Sequence, residues 1–354
     1  MLKSSDRIVL LQHDGLDSLT GKTGLAMLRH RDGPIVAVVD PAHAGRSLQA
    51  ITGIERDVPV VGTLEQALPF DPEVAVIGLA PSGGRLPEPV RRDALMALSR
   101  GLNLASGLHT RLADDRELRA ACRDDRWIWD LRCEPEQLQV AQARAAALPC
   151  QRVLAVGTDM AVGKMSACLE LLKTAQQRSL PCRFVGTGQA GILIGGSGVA
   201  LDAVRVDYAA GAVEAAVIEA AESLPAHGLV LVEGQGSLCH PGSSATLPLL
   251  RGSQPTALLL VHRARQSTIE RLPGIPLPPL SELVALTEGL ARLARPADAA
   301  PARVRAVALN TARLDASAAR QAVDEVSQEL SLPCTDPVRW GADPLLEAVV
   351  ETAC

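Results

Sequence analysis

The chain has 354 residues, enough for two domains with buried cores, and 47% apolar against 2% aromatic content predicts packing by Ala, Val and Leu. A formal net charge of −5, with no long run of one sign, excludes the basic field that nucleic-acid binding requires. No apolar run approaches the roughly 20 residues of a bilayer span, and residues 1–14 lack a signal-peptide pattern, so a soluble cytoplasmic protein without membrane or nucleic-acid partners is expected.

In chain order, Arg7–Gln12 reads as a strand, Gly24–His30 as a helix, Ile35–Asp40 and Val58–Val61 as strands, and Leu64–Leu68 as a helix. Glu73–Gly78 is a strand, Pro89–Arg100 a helix, Leu102–Ser106 a strand and Asp114–Asp124 a helix. Glu134–Pro149, rich in Ala and Gln, reads as a connecting helix or linker. Then come the strands Val153–Val156, Arg183–Gly186, Gly228–Glu233, Ala257–Val261 and Val304–Leu309. A helix begins at Ala167, and others are expected at Ala209–Ser223, Leu280–Ala294 and Ser317–Leu330. Pro273–Pro279, with four prolines in seven residues, reads as an extended loop. Such alternation predicts an α/β protein of two doubly wound, mostly parallel-sheet domains. The expected division is 1–135, a linker at 136–150, and 151–354. The eight cysteines form no Cys-x-x-Cys pair, which favours reduced, buried thiols over a zinc site or disulfide framework.

The strongest chemical signal is Val153–Cys168, where an apolar run breaks into a loop from Gly157 to Gly163-Lys164 and then a helix. Backbone N–H groups of Gly157, Thr158, Asp159 and Gly163, with the helix start at Met165-Ser166, suit a phosphate, and Lys164 suits its terminal oxygens. The loop departs from the common pattern twice. It has five residues between the glycines, and Met165 stands where a metal-binding hydroxyl is usual. Ser166, about 100° further round the helix, replaces that hydroxyl poorly. Thr158, Asp159 and Glu233 remain as oxygen ligands for Mg²⁺ if the ligand is ATP, and the phosphates of coenzyme A fit a cradle without the hydroxyl.

Glu233 ends an apolar strand and opens Gly234-Gln235-Gly236, which predicts a carboxylate beside the phosphates rather than a solvated strand-edge acid. The run Val185–Gly198 has six glycines in fourteen residues and sets Thr187 and Gln189 at a strand end. Weaker candidates are Arg85, Ser106 and Asn310 for substrate, and His109 and His240 for proton transfer, although a lone histidine is more often structural. Gly15 to Gly21-Lys22-Thr23 is either a second nucleotide loop or an ordinary turn. Asp40 ends the next strand as a ribose-binding acid would, without a Gly-x-Gly-x-x-Gly fingerprint.

The run Gly157–Lys164 resembles the loop of dethiobiotin synthetase, and Val232–Gly236 is also similar to that family. A broader resemblance is to domain-of-unknown-function family 1611. It rests on Gly-Lys-Thr at 21–23, Ala-Pro-Ser-Gly-Gly-Arg-Leu at 80–86, Ser-Gly-Leu-His at 106–109 and Val156 to Met165. It continues through Thr187–Leu193, Glu233–Leu238, Gly252–Pro255 and Leu309–Thr311. The resemblance implies a Rossmann-like N-terminal domain and a P-loop C-terminal domain. It also implies an enzyme of amino-acid metabolism that acetylates the amino group of D-glutamate or a related amino acid from acetyl-CoA. Residues 21–28 and 40–46 look like a sister branch, which leaves the substrate open. The implied mechanism uses Lys164 at the phosphates, Glu233 or a histidine as base, and Arg85 on a substrate carboxylate. An ATP- and Mg²⁺-dependent ligase or kinase is the alternative, a non-catalytic nucleotide-binding module the third reading, and a homo-oligomer is expected in each.

Overall fold

The computed structural model describes residues 2–81 and 86–350, which fall into two compact units. The first comprises residues 1–133 together with 189–196, and the second residues 134–188 and 197–354.

In the first unit, Ile8–Leu11 (β1), Ile35–Val39 (β2), Val60–Val61 (β3), Val74–Ile77 (β4), Asn103–Ser106 (β5) and Ile128–Asp130 (β6) form one parallel sheet in the order β3-β2-β1-β4-β5-β6. β1 and β4 are buried along their whole length, which is why they read as unbroken apolar runs. Lys22–His30 (α1), Leu48–Thr52 (α2), Leu64–Ala67 (α3), Glu88–Ser99 (α4) and Arg116–Ala121 (α5) supply the crossovers. The strand order turns between β1 and β4, where open α/β sheets bind ligands.

Here that crevice is filled from within. Gln12, wholly buried, donates from Nε2 to Gly21 O at 2.8 Å, and a Cβ at Gly24 or Gly78 would lie 2.0 Å from its Oε1. Asp40 is equally buried, accepts from Leu16 N at 3.1 Å and pairs with His43 Nδ1 at 2.9 Å. The glycines admit the glutamine side chain, and the strand-end acid is engaged by Leu16 N and His43. The loop around Gly21-Lys22-Thr23 is a packed turn.

The second unit has Gln151–Gly157 (β7), Cys182–Val185 (β8), Leu229–Val232 (β9), Ala257–Arg263 (β10), Arg303–Asn310 (β13) and Cys334–Thr335 (β14) in a parallel sheet ordered β14-β13-β10-β7-β9-β8. Lys164–Gln177 (α6), Val206–Glu222 (α8), Thr246–Ser253 (α9), Leu280–Ala291 (α10), Ala316–Leu330 (α11), Pro337–Trp340 (α12) and Asp343–Val350 (α13) belong to it. Residues 273–276, expected as loop, instead pair as Leu272–Pro276 (β12) with Thr268–Ile269 (β11) in a small antiparallel hairpin.

Two segments differ from the sequence reading. Residues 136–150 form neither a helix nor a free linker. Their one helical piece is a short 3-10 turn, Arg144–Ala147, and Ala145 and Cys150 lie in the core of the second unit. Buried Glu214 of α8 fastens this segment by accepting from Arg144 N at 2.7 Å, Arg144 Nε at 2.8 Å and Gln142 N at 3.1 Å. The glycine-rich run is likewise not all loop. Gln189–Gly195 (α7) is a helix, with Ile192 and Leu193 buried, and it belongs to the first unit. No described helix is long and apolar enough to cross a membrane.

Candidate active site at the phosphate loop

β7 is the central strand from which the loop departs. Thr158 N donates to Val261 O at 3.1 Å, which carries the β10 pairing one residue beyond the strand. The turn closes at Gly163, whose φ of +113° lies in the region that only glycine adopts without strain. Lys164 then opens α6, which has no side-chain cap, so its first N–H groups face the loop.

Lys164 folds back across its own loop and donates from Nζ to Asp159 O at 2.8 Å. Two glycines make room for it. A Cβ on Gly157 would stand 2.8 Å from Nζ, and one on Gly234 would stand 2.8 Å from Cδ and 1.8 Å from Ala155 O. Burial lowers the Lys164 ammonium to about 8, and Asp159 and Glu233 hold it up in part.

Glu233 follows β9 and is almost entirely enclosed. Its Oε2 accepts from Thr187 N at 2.8 Å and Gly188 N at 3.2 Å, and Gln235 Nε2 lies 3.4 Å from Oε1. Burial raises this carboxyl to about 7 against the opposing pull of those N–H groups and of Lys164. The site thus holds an acid and a base that both titrate near neutrality.

The loop is braced from outside. Asp159 Oδ1 accepts from Met160 N at 2.6 Å, and Oδ2 accepts from Gln266 Nε2 and Glu270 N, both at 2.7 Å. Asn310 Nδ2 donates to Val162 O at 2.9 Å, and Ser237 Oγ to Thr158 O at 2.8 Å. Thr158 Oγ1 meets His262 Nδ1 at 3.0 Å. Burial and neighbouring Arg263 push His262 down to about 4, so its ring is neutral at neutral pH.

Part of the oxygen set expected for a divalent cation is already engaged within the protein. Oδ2 of Asp159 and Oε2 of Glu233 each already accept two protein donors, and Met165 offers no hydroxyl. Among the described residues no group of three His, Cys, Asp or Glu is arranged to hold a metal. Asp159 acts as a brace for the loop.

Of the residues expected from sequence, Gly157, Thr158, Asp159, Gly163, Lys164, Thr187, Glu233, Gly234, Gln235 and Asn310 gather here. Met165 and Ser166 lie on the first turn of α6, and Gly236 turns the chain with φ +64°. Asn310, half-buried, touches the loop. His240 Nδ1 accepts from Gly242 N at 3.0 Å, a local bond.

Ser106, His109 and Gln189 stand in the first unit instead. Ser106 is wholly buried and its Oγ accepts from Leu108 N at 3.2 Å, shaping a turn. His109 Nε2 and Gln189 Oε1 both receive Arg132, the latter at 2.8 Å. Arg132 thus joins His109 to Gln189 within this unit. Arg85 lies outside the described residues.

Sequence reading missed His262, Arg263, Gln266 and Glu270. His262 and Arg263 carried the same signal as Glu233, polar residues closing an apolar run at a strand's carboxyl end.

Residues 139–346 match the family described as "Domain of unknown function (DUF1611_C) P-loop domain", and residues 41–134 match "Domain of unknown function (DUF1611_N) Rossmann-like domain". The chain belongs to the DUF1611 family. A crystal structure of a DUF1611 family protein from Anabaena variabilis superposes with a TM-score of 0.90 at 50% identity, covering 98% of this chain and 100% of that one. A D-glutamate N-acetyltransferase of Tritonibacter scottomollicae is 36% identical over 289 residues, which is 81% of this chain and 84% of the relative. One from Pseudoalteromonas sp is 33% identical over 273 residues, 77% and 79% of the two chains. These family members are similar to this chain across both units.

Proposed function

We propose that this DUF1611 protein is an N-acetyltransferase that moves an acetyl group from acetyl-CoA to the amino group of D-glutamate or a related acidic amino acid. The observation that carries the reading is Glu233, a buried carboxylate at the phosphate loop held at about 7. The relatives named D-glutamate N-acetyltransferase support the substrate class.

A base of that strength is matched to removing a proton from a substrate ammonium near neutral pH. Glu233 takes that proton and leaves a neutral amine. The amide C–N bond forms as the thioester C–S bond breaks; of the two protons the nitrogen gives up, one ends on the departing thiolate and the other leaves through Glu233 to solvent, which regenerates the base. Lys164 and the N–H groups of residues 157–164 hold phosphates and need no metal to do so. Assay of CoA release with acetyl-CoA and a panel of D- and L-amino acids tests this. Turnover is expected with D-glutamate or a close analogue, and no release with any amine would sink the proposal.

The loop's similarity to dethiobiotin synthetase favours a second reading, an ATP-dependent ligase or kinase. It predicts Mg²⁺-dependent ADP formation that vanishes in Lys164→Ala. The protein donors already seated on Asp159 and Glu233 argue for the first reading.

A further inference from the structure

A second set of charges flanks the loop on the side away from Glu233. Arg263 ends β10, and its register partner Asn310 ends β13. Arg263 donates from Nη2 to Ala161 O at 2.7 Å, inside the phosphate loop, and from Nη1 to Glu270 Oε2. The other oxygen of Glu270 accepts from Arg313 Nη2 at 2.6 Å. One carboxylate therefore holds two guanidiniums side by side. The Arg263 side chain is 12% exposed and that of Arg313 is 66% exposed.

The charge of Asp159, itself held by Met160 N, Gln266 and Glu270 N, acts on Arg263, which leaves Arg313 as the exposed cation of the cluster, fixed by Glu270. The two guanidiniums also sense each other, since the charge of Arg313 adds to burial in lowering Arg263. Nothing in the acetyl-transfer chemistry uses them. Strand order says which part of a ligand they meet. β9, with Glu233 at its end, lies on one side of β7, and β10 and β13 lie on the other. A long ligand gripped through its phosphates over β7 has its reacting end toward β9 and its opposite end over β10 and β13.

We propose that Arg313, aligned by Glu270 beside Arg263, binds the 3′-phosphomonoester of coenzyme A and makes the loop prefer a 3′-phosphorylated adenosine to one with a free 3′-hydroxyl. This rests on the acetyl-CoA reading above and adds to it the residue that sets cofactor choice. A phosphomonoester carries about −1.5 to −2 charge and three acceptor oxygens, which an exposed arginine fork fits better than a point charge does. Glu270 keeps that fork in place before the ligand arrives, so little side-chain freedom is lost on binding.

Calorimetric titration of the full chain with CoA and with 3′-dephospho-CoA tests it. The wild type should bind CoA at least about tenfold more tightly, the least expected of a hydrogen bond to a charged group. Arg313→Gln should bring the two affinities together without weakening dephospho-CoA. Equal affinities in the wild type, or a preference that survives Arg313→Gln, would overturn the assignment while an intact acetyl-transfer assay leaves the acetyltransferase standing. Binding of ADP with Mg²⁺ but of neither CoA form would overturn both.

Discussion

Lys164 and Glu233 are buried together with opposite charges, and each offsets part of the other's desolvation, so they titrate near 8 and near 7. A productive site needs Glu233 ionised and Lys164 protonated. The pH dependence of kcat/KM for acetyl transfer should rise through about 7 and fall above about 8. Glu233→Gln should remove the rising limb and lower kcat by about 10²–10⁴. A rising limb that persists in Glu233→Gln would assign the base elsewhere.

The same shifts fix how stability responds to pH. The folded Lys164 value of about 8 lies below its ordinary 10.5, so the unfolded chain binds more protons between them and stability climbs with pH across that window. Glu233 is raised from 4.5 to about 7, so its contribution is present below the lower value and is lost as pH rises through the upper one. Lys164→Met should flatten the alkaline climb and stabilise the ligand-free protein at pH 7 by roughly 1–3 kcal/mol, while anion binding falls at least about a hundredfold. Urea denaturation at several pH values, paired with CoA titration, reads both.

Asp159→Asn would turn an amide N–H₂ toward donors that now point at a carboxylate. The loop and the β11–β12 hairpin should loosen by about 1–3 kcal/mol, and KM for acetyl-CoA should rise more than kcat falls. EDTA should leave the wild-type rate unchanged, because no step is assigned to a cation. A rate that EDTA abolishes and Mg²⁺ restores would return Asp159 to the role of metal ligand.

Gly211 of α8 tests the packing of residues 136–150. A Cβ there would lie 1.7 Å from Gln139 O, a backbone atom with no easy retreat. Gly211→Ala should cost about 2–4 kcal/mol in thermal or denaturant unfolding and leave the activity of the folded fraction intact.

Both sheets were legible in the sequence because doubly covered parallel strands are unbroken apolar runs, and the phosphate loop was legible because strand, glycines, lysine and helix coincide. Helix α7 was hidden because its glycines speak for a loop, while burial of Ile192 and Leu193 decides otherwise. Residues 136–150 looked helical by composition, and the carboxylate that holds them irregular, Glu214, lies far along the chain. β12 was masked by its prolines, which a small two-stranded hairpin tolerates. The braces on Asp159 come from loop positions with no periodic signature, and local reading does not reach such long-range partners.

The insertion of α7 into the first unit bears on how the protein is made. The chain completes β1 through β6, moves on to β7, the phosphate loop, α6 and β8, and only then supplies the helix that belongs with the first sheet. During synthesis the first body cannot finish until part of the second has left the ribosome. A cut near residue 134 would therefore yield an N-terminal half lacking one of its own helices, and a C-terminal half carrying a helix whose sheet has been removed.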